Sequence, residues 1–89
     1  STTRIGSDAF ISTQFDNISG KIDTVPGEHI ALLLERLQDD ILEKKGFSAV
    51  LRQIRMATDS LKGNRNLLNN IEKEELRSKI SFWRSKLNI

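Results

Sequence analysis

The sequence predicts an all-α fold, a small antiparallel bundle of about four helices. Three observations point to it. Apolar residues recur at spacings of three and four in four separate stretches. Glycine, proline and asparagine punctuate the gaps between them. No stretch shows the two-residue alternation of β-branched residues expected of a strand. A chain of 89 residues has room for one core.

The N-terminal residues 1–6 are largely polar and are expected to form a flexible segment ahead of a single helical domain over 7–89. The first helix is expected over 8–22, with Ser7 or Asp8 as cap and Ile11, Phe15, Ile18 and Ile22 on one stripe. Pro26-Gly27 is the strongest break in the chain. A second helix over 26–45 follows, with Thr24 as its expected cap and Glu28 near its positive end. Ile30, Leu33, Leu34, Leu37 and Ile41 make its apolar face, and Gly46 its stop.

Ser48 is read as the cap of a third helix over 48–62, with Phe47 as a hydrophobic staple. Val50, Leu51, Ile54 and Leu61 mark its buried side, with Ala57 or Thr58 between, and Gly63 ends it. Leu67 and Leu68 are expected in a short helical turn. Asn69 and Glu72 then have the spacing of a capping box for a last helix over 70–87, whose stripe runs Ile71, Leu76, Ile80, Trp83, Leu87. Short links favour an up-and-down order. Heptad-like stripes on the first and last helices make a homo-oligomer the other arrangement the pattern allows.

Composition narrows the chemistry. There is no cysteine and no tyrosine, so thiolate metal sites, disulfides and cysteine nucleophiles are excluded. The single histidine, His29, falls in the first turn of the second helix without an evident base or second ligand, and reads as a neutral surface residue. Asp39, Asp40 and Glu43 form a carboxylate cluster, but hard cations need further oxygen ligands and Lys44 and Lys45 follow directly, so a solvated face is expected. Gly63-Asn64-Arg65-Asn66 lacks the second glycine and the Lys-Ser/Thr pair of a phosphate loop. The expectation is a protein that is not an enzyme and has no cofactor and no metal. No apolar run approaches the roughly 20 residues of a membrane span.

Net charge is +2 but unevenly spread. Residues 1–43 carry three basic and eight acidic side chains, and residues 44–89 carry eleven basic and four acidic ones. Either the two halves attract each other within the bundle, or the basic half faces a partner.

Two binding readings follow. In the leading one the chain is a helical interaction module, an adaptor within a larger intracellular protein. It captures an acidic or amphipathic helical segment of another protein, with Phe82 as apolar anchor and Arg77, Lys79, Arg84 and Lys86 as a basic rim. Phe82 is singled out because neighbours on a helix point about 100° apart, so Phe82 and Trp83 rarely share one core equally. Trp83 continues the core stripe. Phe10, Leu32, Leu42 and Ile89 also fall outside the narrow stripes. In the alternative reading the chain binds nucleic acid through Arg52, Arg55, Lys62 and Arg65. The segment Glu75-Leu76 to Phe82-Trp83-Arg84-Ser85-Lys86-Leu87 resembles the last helix of the small helical domains of transcription elongation factors over about a dozen residues, but the Gly-Lys and basic-His signature that precedes it there is absent, and the family is not assigned.

Overall fold

The computed structural model describes the backbone of residues 2–89 and the side chains of residues 6–89. Four helices follow one another: α1 (Thr2–Lys21), α2 (Gly27–Lys45), α3 (Val50–Leu61) and α4 (Asn70–Leu87). Each packs on the next, and α4 closes back onto α1. The α1–α2 and α3–α4 connections meet at one end, where Pro26 and Leu67 form an antiparallel β-bridge. Helices α1 and α3 therefore end where α2 and α4 begin, an up-and-down bundle. The ion pair between Lys45 and Asp8, and that between Arg84 and Asp16, fit the same antiparallel order.

The core is the predicted set of stripes. Ile11, Phe15, Ile18 and Ile22 from α1 meet Ile30, Leu34, Leu37 and Ile41 from α2, Val50, Leu51, Ile54 and Leu61 from α3, and Leu76, Ile80, Trp83 and Leu87 from α4. Ala57 and Thr58 are both buried, and the Thr58 hydroxyl donates to the Ile54 carbonyl at 2.9 Å, so its burial leaves no unmet donor. Leu33 and Ile89 pack against the core from its edge.

Several local expectations are corrected. Helix α1 takes in Thr2 to Ser7, which the sequence placed before the helix; Ser1 lies outside the described residues. Asp8 is not a cap, because its carboxylate is held by Lys45 of α2. Thr24 does not cap α2 either. Its hydroxyl donates back to Lys21 at 3.4 Å, and Pro26 occupies the cap position. The first amides of α2 are met from the other end of the chain: Gly27 donates to the Asn66 carbonyl at 3.0 Å and Glu28 to the Asn64 carbonyl at 2.8 Å. This explains why residue 27 is a glycine. A Cβ there would stand 2.8 Å from Asn64 Nδ2. The same loop keeps Leu67 and Leu68 out of a helical turn, since Leu67 bridges to Pro26 while Leu68 turns into the core.

Ala49, not Ser48, holds the cap position of α3 and makes no side-chain cap; the Ser48 hydroxyl, one residue earlier, accepts from the Val50 amide at 3.3 Å, and Phe47 is 90% exposed and staples nothing. The predicted capping box of α4 is complete: Asn69 Oδ1 accepts from the Glu72 amide at 2.8 Å and Glu72 Oε1 from the Asn69 amide at 2.9 Å. Ile71 is exposed instead of continuing the α4 stripe, because at about 100° per residue it lies nearly half a turn from the line of Leu76 and Ile80.

Candidate functional site

Helix α4 presents three strips along its length. Leu76, Ile80, Trp83 and Leu87 face the core. One margin beside them faces α1 and is spent on it. The Asp23 carboxylate, just past the end of α1, lies 3.2 Å from Lys73 Nζ and 2.9 Å from Arg77 Nη2. Arg84 donates to Asp16 at 2.8 Å and to the Ser12 hydroxyl at 2.6 Å, and its guanidinium stands 5.6 Å from the centre of the Phe15 ring. The hydrogen bond from Lys73 is the largest influence on the Asp23 carboxyl; desolvation pushes the other way, and the hydrogen bond from Arg77 with the charges of Arg77 and Lys73 leaves its pKa below the ordinary value.

Five ion pairs bear on the two meanings of the charge split. Lys45–Asp8, Lys62–Glu35, Lys73–Asp23, Arg77–Asp23 and Arg84–Asp16 all join the basic half to the acidic half. Much of the asymmetry therefore acts inside the bundle.

The opposite margin of α4 faces α3 and the outside. Lys79 and Lys86 lie here with Phe82, which is 46% exposed. Among the described residues, neither lysine has a carboxylate partner. Lys86 Nζ sits 5.4 Å from the centre of the Phe82 ring. Two open clefts of about 240 and 320 Å³ run between α3 and α4 and share Ala57, Ser60 and Lys79. Small side chains on α3 leave this seam unfilled. Trp83 lies at its base, with its Nε1–H donating to Gln53 Oε1 at 3.0 Å, and Met56, 64% exposed, stands on its rim.

The predicted anchor and rim are thus divided. Phe82, Lys79 and Lys86 come together beside the α3–α4 clefts, whereas Arg77 and Arg84 are on the far margin, bound to α1. Phe82 is near the clefts without lining either one. Met56 was not singled out from sequence. Its place off the Leu51, Ile54, Leu61 stripe was the available signal.

The residues of the nucleic-acid reading are dispersed. Lys62 is paired with Glu35 at 3.1 Å and reaches Asp59 at 3.8 Å. Arg55 lines a cleft together with Glu35, Asp39 and Asp59. Arg52 is exposed on α3, and Arg65 lies in the α3–α4 loop. Carboxylates thus stand among the cations of this face.

His29 is exposed and lines a shallow cleft with Glu28, Glu35 and Lys62. Asp40 of the carboxylate cluster accepts from the Gln14 side chain, while Asp39 faces the cleft with Arg55. Among the described residues, no three His, Asp or Glu side chains converge as a metal site and no helix is long and apolar enough to cross a membrane. No family model matches the chain, and no curated protein or solved structure matches it.

Proposed function

We propose that the chain is a non-catalytic helical interaction module, an adaptor element of a larger intracellular protein, that captures an amphipathic helical segment bearing carboxylates. The docking face is the outer α3–α4 margin, with Phe82 and Met56 as apolar contacts and Lys79 and Lys86 as the basic rim. Arg77 and Arg84 drop out of the rim because Asp23, just past α1, and Asp16 of α1 already hold them.

The observation that carries the reading is the unequal fate of neighbouring cations on one helix. Those on the α1 margin are consumed, while Lys79 and Lys86 flank a half-exposed aromatic ring without a carboxylate. An aromatic anchor with a cationic rim suits an apolar face edged with acid groups.

The test is a fluorescence-anisotropy titration of a labelled, designed amphipathic helix with a carboxylate flank, run beside a short DNA duplex at low ionic strength. The reading expects peptide binding that Phe82→Ala weakens at least tenfold with unchanged helicity. Binding of the duplex alone, lost on replacing Arg52, Arg55 and Arg65, would establish the nucleic-acid alternative instead.

A further inference from the structure

The outer face of α4 is complementary to itself. Ile71, Glu75, Ser78 and Phe82 recur at spacings of four, three and four, so they form one stripe along the helix, and all four are exposed. The stripe is polar at its centre and apolar at both ends. Its charge is also divided: Glu74 and Glu75 lie in the N-terminal half, Lys79 and Lys86 in the C-terminal half. Among the described residues none of these four makes an ion pair.

We infer that a second copy of this chain docks on the first through α4, antiparallel across a two-fold axis near Leu76 and Arg77. This rests on the proposed docking face and names its occupant. In an antiparallel pair, residues whose numbers have a constant sum lie opposite each other. Ile71 of one copy then meets Phe82 of the other, Glu75 meets Ser78, and Lys79 falls within reach of Glu75. Every contact occurs twice, as an isologous interface requires. A parallel pairing would instead set Glu75 against Glu75 and Lys79 against Lys79.

The seam is one helix wide. From Ile71 to Lys86 it is about 24 Å long at 1.5 Å per residue. That is less than the standard interface of about 1,600 Å² needs, so the dimer is weak and populated at about 0.1–1 mM.

Sedimentation equilibrium of the purified chain tests this. The weight-average mass should rise from 10.1 kDa toward twice that value with concentration, and less so in about 1 M salt, where charges are screened beyond roughly 3 Å. Lys79→Glu should hold the chain monomeric, and adding Glu75→Lys should restore association by exchanging the charges. Phe82→Ala should weaken it at least tenfold. Circular dichroism confirms that each variant is folded. A constant 10.1 kDa at all concentrations, association indifferent to Lys79→Glu, or a double variant that stays monomeric overturns self-docking. A monomeric chain that still binds the acidic peptide through Phe82 overturns self-docking alone. A chain that dimerises by these rules but ignores the peptide overturns capture of a foreign segment.

Discussion

Replacing Arg84 by alanine should destabilise the bundle much more than replacing Lys79, five residues away on the same helix. Three contacts go with the guanidinium. The ion pair with Asp16 has one partner 70% exposed and the other 25%, so solvent screening limits it to about 0.5 kcal/mol. The hydrogen bond to Ser12 is worth about 1 kcal/mol. The approach to the Phe15 ring adds about 0.5 kcal/mol. Shared geometry makes these less than additive, and a loss of about 1–2 kcal/mol is expected. In a domain of this size each kcal/mol moves Tm by about 4–8 °C, so Arg84→Ala should lower it by about 5–15 °C. Lys79 has no ion pair, and Lys79→Ala should stay within about 0.5 kcal/mol. Urea unfolding followed by Trp83 fluorescence reads both. Asp16→Ala should cost about 0.5 kcal/mol, most of it vanishing in the Arg84→Ala background. Equal losses for Arg84→Ala and Lys79→Ala would refute the division of α4 into a bound margin and an available one.

Other outcomes follow from the same contacts. The folded Asp23 carboxyl has a depressed pKa, so its stabilisation is fully present above its unfolded pKa and disappears as pH falls through the folded one. Asp23→Asn should therefore flatten the acid limb of a stability–pH curve and change little in its slope near neutrality. Gly27→Ala should cost about 1–3 kcal/mol in a thermal melt, because the new Cβ meets Asn64 in the loop that caps α2. Gly20→Ala, in the last turn of α1 with open space around it, should gain up to about 1 kcal/mol in the same assay. Asn69→Ala should cost about 1 kcal/mol through loss of the capping box, read by urea titration.

The sequence was most readable where structure is local. The α2 stripe and the Asn69–Glu72 box depend on residues within a turn or two, and both stand as the spacing implied. Contacts set by distant residues were not readable. The start of α2 is capped by carbonyls of Asn64 and Asn66, well beyond any capping pattern, and Thr24 was the nearer but wrong candidate. The same holds for the charged site. Spacing placed Arg77, Lys79, Arg84 and Lys86 on one helix, but which margin meets α1 depends on Asp16 and Asp23. The −5 and +7 halves suggested attraction without assigning pairs. Phe47 and Ile71 are both exposed against expectation. For Ile71 the spacing itself carried the signal, since five and nine residues separate it from Leu76 and Ile80 and set it nearly half a turn away.

The most direct measurement is a backbone amide shift map of the labelled chain during titration with the acidic amphipathic peptide. The largest changes should cluster at Met56, Lys79, Phe82 and Lys86, while Lys73, Arg77 and Arg84 stay nearly still because Asp23 and Asp16 hold them. Largest changes along the Asp16–Arg84 and Asp23–Arg77 seam, with Phe82 silent, would contradict the proposed docking face.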